Sequence, residues 1–192
     1  MTNLFEQDIK RCIDVLQQGG VILYPTDTVW GLGCDATNEE AVAKIYTIKK
    51  RVEAKSMIAL LPDTFNLMHY VAAPPPNIDE LLAPYADKPT TVIYPNALLI
   101  ADNAIAQDGS MAFRVCKEEF CYALLKRFRK SIISTSANIS GAPTPSLFSE
   151  ITEEIINAAD YVVQYRQNDN RIVAQSRILK LREDESFEMI RI

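Results

Sequence analysis

Short, uninterrupted apolar runs set between stretches of helical period constrain this chain more than any other feature. Val21-Ile-Leu-Tyr24 and Met57–Leu61 are continuous apolar runs of strand length, the mark of strands covered on both faces. Thr91–Tyr94, Met111–Val115 and Ser131–Ser134 read as further strands. Phe5, Ile9, Cys12, Ile13 and Leu16 recur at helical spacing, and Gly19-Gly20 ends that helix. Pro25 to Asp35, with its small and hydroxylated residues, is predicted as a loop. Thr37-Asn-Glu-Glu40 predicts a capping box before a helix whose buried stripe is Ala41, Val42, Ile45, Tyr46 and Ile48. Lys49 and Lys50 in its last turn complement the helix dipole. Thr64–Val71 predicts a short helix and Glu118–Lys130 a longer one. Ile151, Ile155 and Ala159 mark another helix, capped by Ser149.

Tyr161–Gln164, Arg177–Leu181 and Phe187–Ile192 read as closing strands. They follow one another without intervening helices, which predicts some antiparallel pairing in a mixed sheet. No repeat is present, and Pro74-Pro-Pro76 is the only candidate boundary, with flanks too short to stand alone. The expectation is an α/β fold in one domain, residues 1–192.

Composition narrows the classes of function. A chain of 192 residues buries about 70% of its unfolded surface, enough to fold without disulfide or metal. Hydrophobic residues make up 48% and charged residues 23%, which excludes disorder, collagen and coiled coil. The formal charge of −5 argues against non-specific binding to nucleic acid or anionic membrane, while leaving room for a small basic pocket. No apolar run approaches the roughly 18 residues of a membrane span. The polar stretch Met1–Cys12 is not read as a signal peptide. Cys12, Cys34, Cys116 and Cys121 show no CxxC spacing, and with His69 the single histidine, no zinc or other metal site is expected. The reading is a reduced, cytoplasmic protein whose thiols pack.

Two motifs point to chemistry that the surrounding residues do not support. Gly31-Leu-Gly33-Cys-Asp-Ala36 matches GxGxxA, the dinucleotide fingerprint. In that motif the glycines turn directly off the strand, whereas Pro25–Trp30 intervene here. The candidate ribose acid, Asp63, lies 30 residues past Gly33 where about 20 are expected. Ser134, Ser136 and Ser140 cluster as in a serine hydrolase, yet a serine nucleophile needs a base. His69, in Leu67-Met-His-Tyr70, reads as a helix-face histidine, and GxSxG is absent.

A third constellation carries more chemistry. It joins Tyr24-Pro-Thr-Asp-Thr-Val-Trp-Gly-Leu-Gly33, the cations Lys49-Lys-Arg51 with Lys55, and Ser134-Thr-Ser-Ala-Asn-Ile-Ser-Gly141. Two hydroxyl- and amide-rich loops leave buried strands, with cations at the end of the helix between them. These are the groups a triphosphate requires. A solvated helix end and an ordinary capped turn account for the same residues. The cluster Lys126-Arg-Phe-Arg-Lys130 reads as a solvated face.

These segments, with Ala112-Phe-Arg-Val115, resemble the YrdC family of threonylcarbamoyl-AMP synthases in order and spacing from roughly Asp8 to Ile192. The resemblance implies a YrdC-like domain: a twisted mixed parallel/antiparallel sheet with flanking helices and a concave cationic cavity. It implies that L-threonine, bicarbonate (or CO2) and ATP with Mg2+ give threonylcarbamoyl-AMP and pyrophosphate. The product would feed a downstream threonylcarbamoyl-transferase complex acting on tRNA. By the same resemblance Thr28, Arg114, Ser136 and Ser176 meet threonine. Lys49, Arg51 and Lys55 face the ATP phosphates, with Lys49 and Arg51 catalytic. Ser110, Asn138, Ser146 and Arg191 hold the nucleotide.

Several positions depart from the family pattern. Ser56 replaces a proline, Asp87-Lys88-Pro89 replaces Pro-Gly-Pro, Glu118-Glu119 stand near an expected His-Pro, and Gln175-Ser176-Arg177 replaces Pro-Ser-Thr. Arg177 adjoins a residue expected on threonine, which keeps another acceptor amino acid open. A non-enzymatic module binding double-stranded RNA or nucleotide is the alternative, and the acidic balance counts against it.

Overall fold

The computed structural model describes residues 4–51 and 57–192. The expected strands form: β1 (Ile22–Tyr24), β3 (Ile58–Leu61), β4 (Thr90–Tyr94), β5 (Met111–Val115), β6 (Ile132–Ser136), β7 (Tyr161–Val162), β8 (Arg177–Leu181) and β9 (Phe187–Arg191). An unexpected strand, β2 (Gly31–Asp35), joins them. The helices are α1 (Leu4–Gln17), α2 (Glu39–Ile48), α3 (Leu67–Tyr70), α4 (Ile78–Leu82), α5 (Glu119–Phe128) and α6 (Glu153–Ala158). The nine strands of the described residues hydrogen-bond into one sheet in the order β7-β1-β2-β6-β3-β5-β4-β8-β9. β1/β7, β3/β5 and β4/β8 are parallel and the other neighbours antiparallel. The expected mixed sheet is therefore present, with β8 and β9 forming the antiparallel close.

β2 corrects the reading of Pro25–Asp35 as a loop throughout. Two glycines in five residues lower strand propensity, but their bare Cα atoms are what the packing needs. A Cβ on Gly33 would stand 2.7 Å from Tyr24 Cε1 and 2.9 Å from the Ile133 carbonyl oxygen. The Tyr24 ring occupies the space that side chains on β2 would fill. Gly31 and Gly33 thus lie inside a strand and make no phosphate-binding turn, which removes the dinucleotide fingerprint.

The helix caps also shift. Asn38, not Thr37, caps α2, its Oδ1 accepting from the Ala41 amide at 3.0 Å. Thr37 instead bonds Asp35 Oδ1 through its amide and hydroxyl. Thr152 occupies the N-cap position of α6, and Ser149 lies within a preceding 3-10 turn, Phe148–Glu150. β6 runs two residues further than expected, to Ser136, because Leu32 and Gly31 of β2 pair with Thr135 and Ser136. Lys49 is the C-cap of α2 and Lys50 lies beyond it with φ +50°.

The core fills both sides of the sheet. Phe5 of α1 meets the rings of Phe120 of α5 and Tyr165 edge-on at 5.5 and 5.3 Å. Ala41, Val42, Ile45 and Tyr46 bury the predicted face of α2. All four cysteines are buried and free, as packing groups should be. Lys126, Arg127 and Lys130 pair with Asp63, Glu6 and Asp35, so three cations of the basic cluster are already neutralised.

Candidate active site

Ladder register brings the polar residues together. Gly33, Ser134, Ile58, Ala112 and Ile93 form one cross-strand row through β2, β6, β3, β5 and β4. Two residues along each strand, and so on the same face, Ile132, Leu60, Arg114 and Thr91 align. Directly opposed residues share a face of the sheet, so Ser134 and Arg114, 20 residues apart in sequence, lie on one surface. A cavity of about 160 Å³ opens on it, lined among others by Thr28, Trp30, Arg114, Ser136, Ser176 and Arg191. Two arginines and no carboxylate are among its described lining residues.

Arg114 is 5% exposed. One guanidinium nitrogen lies 3.0 Å from Asp27 Oδ1. Its Nε has no hydrogen-bond acceptor among the described residues. A buried donor left open is costly unless something else satisfies it, and a planar guanidinium suits a carboxylate or phosphate. Arg191 donates through Nε and a terminal nitrogen to the Ser176 carbonyl at 3.1 and 2.7 Å, and to Gln175 Oε1 at 2.8 Å. Burial, and then Arg114, lowers its pKa from the ordinary value. An anion between them would relieve that repulsion.

The loop between β1 and β2 presents Thr28. The Thr26 hydroxyl donates its single proton to the Val29 carbonyl at 2.7 Å and accepts from the Thr28 amide at 3.0 Å. In the 3.0 Å contact between the two hydroxyls, Thr28 is therefore the donor. The remaining lone pairs of Thr28 Oγ1 are left for a donor such as an amine. Ser176 shares a 2.9 Å hydroxyl contact with Thr91. Ser136 donates to Asn138 Oδ1.

The other expected site residues sit differently. Lys49 does not line the cavity; it stands behind the 136–141 loop. Its amine donates to the carbonyls of Ser136 and Asn138, both at 2.6 Å, and its own carbonyl accepts from the Ser140 amide. Arg51 is half-buried beside the undescribed residues, and Lys55 lies outside the described residues. Asn138 spends its amide nitrogen on the Ile139 and Ala142 carbonyls, shaping its own loop. Ser146 lines a small crevice behind the Thr26–Trp30 segment, with Arg166. Ser110 donates to Asp108 at 2.6 Å and borders another cavity with Lys180. The structure therefore gathers Thr28, Arg114, Ser136, Ser176 and Arg191, keeps Lys49 and Asn138 as loop supports, and separates Ser110 and Ser146. His69 is exposed on α3, away from the serines.

Two family departures turn out to be partners. Arg177 points to the other side of β8 from Ser176 and forms a paired contact with Asp87 at 2.9 and 3.1 Å. Its guanidinium lies 5.3 Å from the Tyr85 ring centre. Alternation along the strand explains the separation. Restoring the family residue in Arg177→Thr should accordingly leave the KM for the amino-acid substrate unchanged; an altered KM or amino-acid preference would return Arg177 to the site.

Residues missed by sequence reasoning are Thr26, Asp27, Trp30 and Gln175. The first three lay inside the quoted motif, but nothing in the sequence told positioning from contact. Trp30 is held by Phe148, ring centres 4.8 Å apart.

Comparison with known proteins gives the relatives of the chain. The Sua5/YciO/YrdC family profile, described as telomere recombination, matches residues 14–192. A threonylcarbamoyl-AMP synthase of Pseudoalteromonas translucida (strain TAC 125) is 31% identical over 160 residues, covering 82% of this chain and 86% of the relative. That of Xanthomonas euvesicatoria pv. vesicatoria (strain 85-10) is 29% identical over 187 residues, 96% of this chain and 97% of the relative. Among solved structures, P. abyssi Sua5 complexed with L-threonine superposes with TM-score 0.81 at 24% identity, covering 90% of this chain and 50% of that one. E. coli YciO superposes with TM-score 0.80 at 20% identity, covering 97% and 89%. This chain thus spans about half the length of the Sua5 chain, and at these identities the superpositions show the fold.

Proposed function

This chain belongs to the Sua5/YciO/YrdC family, and we propose that, acting as one domain over residues 1–192, it is a threonylcarbamoyl-AMP synthase. The substrates are L-threonine, bicarbonate or CO2, and ATP; the products are threonylcarbamoyl-AMP and pyrophosphate. The observation that carries the reading is Arg114: a buried guanidinium, its Nε without an acceptor among the described residues, in the wall of a cavity free of described carboxylates. It receives the threonine carboxylate, while Thr28 Oγ1 accepts from the amine and Ser136 and Ser176 flank the side chain. A cavity of about 160 Å³ is the size for an amino acid, so the nucleotide extends beyond it, across Arg191 and the 136–141 loop toward Arg51.

The chemistry asks for positioning and charge stabilisation, without a protein nucleophile. The amine nitrogen bonds to the carbon of CO2, supplied directly or by loss of hydroxide from bicarbonate, and releases a proton to leave a carbamate. A carbamate oxygen then bonds to the α-phosphorus as the bond from that phosphorus to the pyrophosphate oxygen breaks. Arg191 and Arg51 offset charge on the phosphates. Mg2+ would be carried in by ATP, whose phosphate oxygens are its ligands; among the described residues no group of three or more His, Cys, Asp or Glu is placed to hold a metal. The product passes to a threonylcarbamoyl-transferase complex acting on tRNA, in the cytoplasm. No described helix is long and apolar enough to cross a membrane.

The test is pyrophosphate release with ATP, Mg2+, bicarbonate and each amino acid in turn. Release that depends on threonine supports the reading; ATP binding with no threonine-dependent release overturns it. Binding to double-stranded RNA without turnover would favour the non-enzymatic alternative.

Lys49 gives a pH signature. Burial, and then Arg51, pull its amine from 10.5 down to about 8. The charged amine ties α2 to the phosphate-side loop. Raising the pH through 8 should lower kcat as that charge is lost. The unfolded chain keeps its proton to higher pH, so this residue's contribution to stability rises over the same window. In Lys49→Arg, which stays charged, the falling limb of kcat should disappear. A limb unchanged in that variant assigns the titration elsewhere.

A further inference from the structure

We infer that Glu118 and Arg166 form a clamp behind the substrate-facing loop, positioning Thr28 for its ligand; the inference rests on the threonine reading of the cavity. Arg166 follows β7 and holds φ +67°, a left-handed conformation unfavourable for a residue with a long side chain. That backbone turns its guanidinium onto the rear of the loop. One terminal nitrogen donates to the Thr26 carbonyl at 3.1 Å and to Glu118 Oε1 at 3.2 Å, and Nε donates to Asp169 at 2.9 Å.

Glu118 is the N-cap of α5. Its second oxygen accepts from the Cys121 amide at 2.9 Å. The Cys121 thiol in turn donates to the Pro25 carbonyl at 3.1 Å. One carboxylate therefore links two donors that grip consecutive carbonyls, Pro25 and Thr26. Both members of the ion pair are largely buried, with side chains 11% and 14% exposed.

The grip reaches the cavity through two short steps. The Thr26 hydroxyl accepts from both the amide and the hydroxyl of Thr28. A shift of Thr26 thus moves Thr28 Oγ1 directly. Arg166 and Glu118 do not line the substrate cavity; they are positioning residues.

The test compares Arg166→Ala and the milder Glu118→Gln with wild type. Measured are the threonine Kd by calorimetry, KM for threonine and for ATP, and Tm. Glu118→Gln keeps an acceptor for Cys121 and removes the charge facing Arg166, so it stays informative if Arg166→Ala folds poorly. Both variants should weaken threonine about tenfold, the worth of one charged hydrogen bond, with KM for ATP unchanged. The double variant should be no worse than Arg166→Ala, because the pair acts as a unit. Arg182→Ala, whose exposed side chain faces Glu188 on the β8–β9 edge of the sheet, is the control and should bind threonine as wild type does. A lower Tm with unchanged threonine Kd would overturn the clamp. Wild-type protein that binds no threonine would instead overturn the substrate reading beneath it.

Discussion

Arg114→Gln should lower threonine-dependent pyrophosphate release by on the order of 10²–10³-fold, with most of the loss appearing in threonine binding. The side chain is 5% exposed, it lines the cavity, and its Nε has no acceptor among the described residues. A neutral amide cannot replace a two-pronged charged donor to a carboxylate. The substitution also leaves Asp27, whose side chain is 14% exposed, without its cation, which destabilises the fold. Asp27→Asn in the same chain removes that orphaned charge. The double variant should recover Tm and remain inactive, separating binding from folding. Full activity in Arg114→Gln would mean that the cavity is not where threonine sits.

Gly33→Ala is expected to have the largest effect on stability of any single methyl addition on β2. Its Cβ would stand 2.7 Å from Tyr24 Cε1 and 2.9 Å from the Ile133 carbonyl oxygen. The Tyr24 ring is 1% exposed and the carbonyl belongs to the neighbouring strand, so neither can retreat cheaply. Overpacking of this kind costs on the order of 3 kcal/mol, or a fall in Tm of about 10 °C for a chain of this size. Gly31→Ala makes the contrast. Its Cβ meets a side-chain atom, Ser134 Oγ, at 3.0 Å, and it borders the cavity. It should lose activity with a smaller change in Tm. Equal thermal melts for the two variants would show that the Tyr24 ring yields more than its packing suggests.

Much of the molecule was legible before any coordinates. Buried strands such as Ile22–Tyr24 and Ile58–Leu61 announce themselves because burial on both faces demands unbroken apolar runs. The helix at Glu39–Ile48 shows in its stripe of Ala41, Val42, Ile45 and Tyr46. Motif matching also placed Thr28, Arg114, Ser136, Ser176 and Arg191 in one reading, and the sheet register gathers them around one cavity.

What resisted reading shares one physical cause. Gly31–Asp35 looked like a loop because propensity is local, whereas the reason for bare Cα atoms there is the Tyr24 ring arriving from β1. The charge of Lys49 is visible in sequence, while the carbonyls of Ser136 and Asn138 to which it donates lie 87 and 89 residues away. Arg177 looked like a threat to the threonine end until strand alternation turned it toward Asp87. Apolar period, caps and motif chemistry are written along the chain, so sequence by itself determined the α/β class, the strand set apart from β2, and the kinds of group in the site. Which of those groups face a cavity, which stand behind it, and what holds them were decided only by the tertiary structure, because those contacts join residues that sequence keeps far apart.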